Sequence, residues 1–303
     1  MKILKDNPDI ITPKGRQVIE GYATDITTDL TIDWLTHQRK TDQPFVLMMH
    51  HKAPHRNFMP AIRHIQKYIG TEFPTPTNYF DHYDGRPAAA AQEMTIAHDM
   101  YEGHDLKMTT KEGSTELRFN PWTDDFDRMT PAQREAYFGA LQPGNDAMNS
   151  ADMSAREMAI WKYQRYLDEY LGTVAAVDES VGRLLDWLES SGEVDNTIVI
   201  YTSDQGFYLG EHGWFDKRWI YEESLRTPMI VRWPGVTNPG SRYSRPVSTM
   251  DITASTIACA QADTSDLDGV DLRPYLSGSD TSAPHEHLFW RRGPVKAVID
   301  DDK

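Results

Sequence analysis

Two clusters in this sequence are suited to holding an anion and a hard cation. The first follows the apolar run Thr197-Ile198-Val199-Ile200-Tyr201, where Ser203, Asp204, Gln205 and Gly206 stand. Carboxylate and amide oxygens at the C-terminal end of a parallel strand lie where open α/β sheets place ligands. Side by side they suit an oxygen-seeking divalent cation, which makes Asp204 and Gln205 metal-ligand candidates. Alone, an aspartate after a strand is usually a turn residue. Glu211, His212 and Lys217 follow in a glycine-rich loop, and then Tyr221-Glu222-Glu223-Ser224-Leu225-Arg226-Thr227-Pro228.

The second cluster is His50-His51-Lys52-Ala53-Pro54-His55-Arg56. Five cationic or ionisable side chains in seven residues make a donor-rich patch able to grip a tetrahedral dianion. One isolated histidine is by default a satisfied structural residue, and His50 and His51 are read that way, one of them directed into the core.

These residues need elements to position them. Residues 197–201 and 229–231 are uninterrupted apolar runs, as expected of strands buried on both faces of a parallel sheet. Residues 45–49, ahead of the histidine cluster, form a third such run. Helical spacing is expected over 26–38, with Thr24 or Asp25 as N-cap, and over 61–68, 88–100 and 131–141. The strongest helix is 154–189, with Val174, Val177, Val181, Leu184, Leu185 and Leu188 on one face. Turn clusters stand at 84–87, 120–125, 142–146 and 191–196. Asp124, Asp125 and Asp127 read as a solvated face.

The 303 residues suffice for one large or two ordinary domains. A net charge of -15 argues against a general nucleic-acid binder, which needs basic surface. It does not forbid an anionic substrate, because local charge in a pocket outweighs the global sum. No run of 18 apolar residues occurs, so no transmembrane segment is expected. Residues 1–15 lack the apolar stretch of a signal peptide. The single cysteine, Cys259, excludes an intrachain disulfide and a Cys-rich zinc site. It reads as a buried helix residue.

The segment 197–235 resembles the C-terminal signature of the type I sulfatases, in the alkaline phosphatase superfamily. The resemblance implies that Asp204-Gln205 completes a calcium site and that Lys217 contacts sulfate. Tyr221 to Pro228 fits the family's Tyr-Glu-x-x-x-Arg-x-Pro segment. His50 to His55 fits its Lys-x-Pro-His or His-x-Pro-His segment, whose final histidine contacts the sulfate ester. That implies a catalytic role for His55, with Lys52 next as substrate contact. His212 is a further candidate for leaving-group acid or substrate contact, and Arg226 for bracing the site by pairing with a carboxylate. Tyr22-x-Thr24-Asp25, Asp178 with Gly182, Ser248 to Thr256 and Asp268 to Gly278 also resemble family segments. All four read as structural, with Gly182 permitting close approach to the sheet.

The fold this implies is α/β: a mixed, mostly parallel central sheet flanked by helices, lacking its first strands. Residues 1–284 would be the middle and C-terminal part of a sulfatase catalytic domain, and 285–303 the start of a small C-terminal antiparallel subdomain. Sulfatases use a formylglycine made within Cys/Ser-x-Pro/Ala-x-Arg, and no such motif occurs here. The expectation is an N-terminally truncated chain, inactive alone. The likeness is greatest to bacterial sulfatases of 6-O-sulfated N-acetylglucosamine. That implies a sulfated carbohydrate substrate and a periplasmic or secreted location. Alternatives are a phosphodiesterase or phosphonate monoester hydrolase of the same superfamily, and a non-catalytic glycan-binding relative.

Overall fold

The computed structural model describes residues 6–12, 15–109, 126–292 and 295–300. The turn expected at 120–125, with Asp124 and Asp125, lies outside the described residues. The chain divides into two units, Met1–Ser191 with Tyr208–Asp216, and Gly192–Phe207 with Lys217–Lys303.

Two long helices, α2 (Pro131–Ser150) and α3 (Ala155–Ser190), are the main elements of the first unit. Ser154 caps α3 and Glu157 reaches back to the Ser154 N–H at 2.8 Å, a reciprocal arrangement that satisfies two otherwise orphan donors. Tyr163, Tyr166, Thr173, Ala176, Val177 and Ser180 are buried on α3. Leu185 is not, being 38% exposed. The expected close approach at Gly182 is not seen either: among the described residues a Cβ there would meet nothing within 4 Å. It occurs instead at Gly172, where a Cβ would stand 2.8 Å from Pro60.

Helix α1 (Ala23–Asp33) continues as a π-helical turn, Trp34–Gln38, and packs along α3. Its N-cap is Tyr22, not Thr24 or Asp25. The Tyr22 hydroxyl is anchored on the Met59 carbonyl at 2.8 Å, while Arg63 takes both Asp25 oxygens at 2.7 and 2.8 Å. The carboxylate is thus drawn to a cation rather than to the backbone.

Several local expectations give way to tertiary packing. Helix α2 runs through the turn expected at 142–146, with Pro143 inside it. Proline lacks one N–H, but Leu141, Asn145 and Met148 are buried around it. Asn145 Nδ2 also donates to the Lys107 carbonyl at 2.9 Å. The helix expected over 88–100 stops after Pro87–Ala90. Beyond it, Ile96 N–H donates to Gly213 O and Phe215 N–H to Met94 O, both at 2.9 Å, which pulls the chain out of helix. Over 61–68 only the 3₁₀ turn Ile62–His64 forms. Residues 45–49 are not a strand. Val46 is 70% and Met48 76% exposed, and a ladder needs a partner that the described residues do not supply.

The four strand pairs among the described residues are all antiparallel, so they do not form the expected mostly parallel sheet. In the first unit β1 (Asp9–Thr12) pairs β2 (Gly15–Val18), and β4 (Tyr208–Leu209) pairs β5 (Phe215–Asp216). In the second, β3 (Val199–Thr202) pairs β6 (Met229–Arg232). The chain reverses between them where Gly206 N–H donates to Ser224 O at 3.0 Å, which brings Met229 opposite Thr202. Ile230 is 66% exposed, so this pair is not covered on both faces.

Later in the second unit, α4 (Thr249–Cys259) starts at the Ser248 cap. The buried Asp251 carboxylate accepts from Ser248 N–H at 2.7 Å, from Val270 N–H at 2.9 Å and from His285 Nε2 at 2.9 Å. It clamps the 268–272 segment to the helix, a structural task. Cys259 is exposed, not buried as expected, because it is the last residue of α4 and stands beyond the packed stretch. A final hairpin pairs β7 (His287–Arg292) with β8 (Val295–Asp300).

One group on α3 makes stability depend on pH. Burial pushes the Asp168 carboxyl up from its ordinary 3.8 to about 7, with the Glu169 charge adding to the rise and Arg165 opposing it. The native state therefore keeps this proton where the unfolded chain has lost it. Fewer protons bound when unfolded means that stability falls as pH rises through that window. Urea unfolding between about pH 4 and 7 should show this fall in the native chain and a flatter profile in Asp168→Asn.

Candidate active site

In the first unit, the His55 loop is a pinned turn. His55 N–H donates to Lys52 O at 2.9 Å, which places half-buried Lys52 at the head of the turn and exposed His55 at its end. The ring Nδ1 lies 2.6 Å from the Arg56 carbonyl. A carbonyl only accepts, so Nδ1 carries the hydrogen and Nε2 is the nitrogen that takes or gives a proton. A ring held this way can act as a leaving-group acid through Nε2 when it is doubly protonated. His51 turns inward, its Nε2 3.0 Å from Ser180 Oγ.

Four anchors hold the residues that follow. Arg56 gives Nε and Nη2 to Asp105 at 2.6 and 2.5 Å, and lies 4.3 Å from the Tyr101 ring and 5.1 Å from the Phe215 ring. Lys107 Nζ donates to Phe58 O, Tyr22 OH to Met59 O and Tyr137 OH to Pro60 O. Burial acts to raise the Asp105 carboxyl, but its bonds to His104 and Arg56 outweigh burial and hold it below its ordinary value.

His212 sits between β4 and β5 at φ 58, a left-handed conformation uncommon outside glycine. Its Nδ1 meets Asp81 Oδ2 at 2.7 Å, and its carbonyl accepts from Tyr83 OH at 2.6 Å. Asp81 also accepts from Tyr83 N–H at 2.8 Å and from Arg86 at 2.7 Å. Burial works to raise Asp81, and the bonds to His212, Tyr83 and Arg86 overcome it, so its carboxyl stays well below the usual range. An open hollow of about 440 Å³ is lined here by Asn78, Asp81, Asp84, Arg86 and His212 among others. Carboxylates, a guanidinium and an imidazole converging on a hollow suit a hydroxyl-rich ligand.

In the second unit, Asp204 is exposed and Gln205 half-buried just past β3. Gln205 N–H leans on Ser203 Oγ at 3.4 Å. Gly206 lies against the helical turn Glu222–Leu225, where a Cβ would stand 2.2 Å from Glu223 O. Lys217 Nζ is 5.3 Å from the Phe207 ring, so the lysine meets the same loop as Asp204 and Gln205. Arg226 does pair with a carboxylate, Glu222, but at 3.5 Å and with side chains 79% and 71% exposed. Such a surface pair holds little.

The structure thus brings Lys52 with His55, and Asp204 and Gln205 with Lys217. Asp81 and Asp105 were not singled out in the sequence, and Gly206 was named there only as the neighbour of Asp204 and Gln205. Asp81 and His212 are 131 residues apart, and no local pattern joins them. Asp204 and Gln205 offer hard oxygens, whereas calcium takes six to eight. Among the described residues no group of three or more His, Cys, Asp and Glu is placed to hold a metal ion. The pair therefore fits a share of a calcium sphere, not a whole one.

A family model described as Sulfatase matches residues 4–262. The N-acetylglucosamine-6-O-sulfatase of Bacteroides thetaiotaomicron is 43% identical over 265 residues, 86% of this chain and 47% of that protein. The N-acetylglucosamine-6-sulfatase of Homo sapiens is 34% identical over 122 residues, 39% of this chain and 21% of that one. The structure of BT4656 in complex with its substrate D-glucosamine-2-N,6-O-disulfate matches with a TM-score of 0.91 at 38% identity, covering 98% of this chain and 63% of that one. The chain spans about half the length of the first of these relatives. The chain belongs to the sulfatase family, with its alkaline phosphatase-like α/β fold.

Proposed function

We propose that this chain serves a sulfuric ester hydrolase that removes sulfate from carbohydrate, with 6-O-sulfated N-acetylglucosamine as the substrate. The 43% identity to an N-acetylglucosamine-6-O-sulfatase over 86% of the chain carries this reading. Asp204 and Gln205 would hold calcium, which supplies positive charge that polarises sulfate oxygens. Lys217 neutralises a sulfate oxygen, and Lys52 adds a second cation. His55, when doubly protonated, gives the Nε2 proton to the departing sugar oxygen, because Nδ1 is committed to the Arg56 carbonyl. His212, oriented by Asp81, and the hollow beside it receive sugar hydroxyls. Arg226 has a minor share, since its side chain is turned outward to Glu222. The 303 residues contain no Cys/Ser-x-Pro/Ala-x-Arg motif, so they do not fit a formylglycine. The expected place of action is the periplasm or the cell exterior. Among the described residues no helix is long and apolar enough to cross a membrane.

Calorimetric titration of the purified chain with 6-O-sulfated N-acetylglucosamine, and with the unsulfated sugar, in the presence of calcium, tests the reading. The sulfated sugar should bind more tightly, and Lys217→Ala should weaken it about tenfold or more, the worth of one hydrogen bond to a charged group. Ion chromatography should find no released sulfate from this chain alone. Equal affinity for both sugars would overturn the reading.

A further inference from the structure

We infer that Asp105 is a positioning residue for His55, acting through Arg56. This rests on the reading of His55 as the proton donor. Asp105 is completely buried. It takes the Arg56 fork on both oxygens, accepts Tyr101 N–H at 2.8 Å and lies 3.2 Å from His104 Nδ1. A bidentate fork fixes a guanidinium in its plane. The Tyr101 and Phe215 rings add contacts at 4.3 and 5.1 Å. Residue 56 is thereby tightly constrained, and its carbonyl is the acceptor that meets His55 Nδ1. The Asp105 carboxylate sets Arg56, the Arg56 carbonyl sets Nδ1–H, and Nε2 becomes the nitrogen that titrates. An apolar pair of similar volume would fill this space without desolvating two charges. It would fix neither the orientation of residue 56 nor the direction of its carbonyl. This distinguishes a positioning role from space filling, and the His55 tautomer reports it.

The test is long-range ¹H–¹⁵N spectroscopy of the histidine rings in the 303-residue chain. The native chain should show His55 as the Nδ1–H tautomer. In Asp105→Asn the Nε2–H form should rise about fivefold to tenfold, the change that losing one hydrogen bond brings. Arg56→Lys, which keeps the charge but cannot span both oxygens, should do the same. Asp99→Ala, which removes the Thr95 contacts at 2.8 and 2.7 Å, should leave His55 unchanged. A mixed tautomer in the native chain, or folded Asp105→Asn and Arg56→Lys proteins with an unaltered His55, would overturn the inference. If Asp105→Asn does not fold, Arg56→Lys decides. The readout needs no substrate. A shifted tautomer with no preference for the sulfated sugar would sink the sulfatase reading and leave the positioning intact.

Discussion

Lys107→Met is expected to destabilise the chain by about 3–5 kcal/mol, the cost of breaking a buried ion pair from one side. Lys107 is 1% exposed and its ammonium meets Glu169, Phe58 O and Asp105 O, so all three donors are used. Glu169 is also buried, and the other cation near it, Arg165, is 3.8 Å away. Burial raises the Glu169 carboxyl, and Lys107 and Arg165 offset this only in part. Methionine keeps most of the stem volume, so the loss is electrostatic rather than a cavity. Urea unfolding measures it. The double variant Lys107→Met with Glu169→Leu should recover most of the loss, because no charge is then left buried and unpaired. A single-variant cost below about 1 kcal/mol would show that the pair contributes little. Because Phe58 is three residues past His55, Lys107→Met should also speed hydrogen exchange of the amides at 55–59, an effect that reaches the candidate acid without touching it.

What the sequence discloses here is chemistry that sits close together along the chain. Lys52 and His55 share one turn, and Asp204, Gln205 and Lys217 reach one loop. The strong helix was legible because apolar residues from Val174 to Leu188 recur at helical spacing; its Ser154–Glu157 cap emerged only in the structure. The long-range partners were not. Arg56 finds Asp105 across 49 residues and His212 finds Asp81 across 131, and no periodicity encodes either. Nor does alanine content reveal that 94–96 runs alongside 213–215 and leaves the helix it would otherwise extend. The apolar run at 197–201 overlaps the strand Val199–Thr202, while the run at 45–49 forms no strand, and composition does not say which strand pairs with which. Ladder partners are set by how the intervening loop returns, as Gly206 and Ser224 do for β3 and β6.

Two glycines that fit family segments separate sharply on structural grounds. Gly206→Ala is expected to cost about 3 kcal/mol, the upper end of overpacking, and to abolish the calcium binding proposed for the Asp204-Gln205 pair. A Cβ at 206 would stand 2.2 Å from Glu223 O and 2.7 Å from Arg226 O. Both are backbone atoms, fixed by the helical turn Glu222–Leu225 and by the Gly206 N–H bond to Ser224 O, so neither can swing aside as a side-chain end would. The loop must instead lift off that turn, carrying Asp204 and Gln205 with it and breaking the return that sets β3 opposite β6. Gly182→Ala is the control. Among the described residues a Cβ there meets nothing within 4 Å, and an interior helical alanine is favoured over glycine by up to about 1 kcal/mol. That variant should be neutral or stabilising and bind calcium as before. Thermal unfolding and calcium calorimetry on the two proteins decide the matter. If Gly206→Ala keeps both stability and calcium, the contact between the Asp204-Gln205 loop and the Tyr221-to-Pro228 segment is not what holds the candidate ligands in place. If it loses calcium while unfolding at an unchanged temperature, the loop is a separately deformable part of the site. Loss of both, with Gly182→Ala unaffected, is the expected result, because one short backbone contact holds the strand return and the ligand pair together.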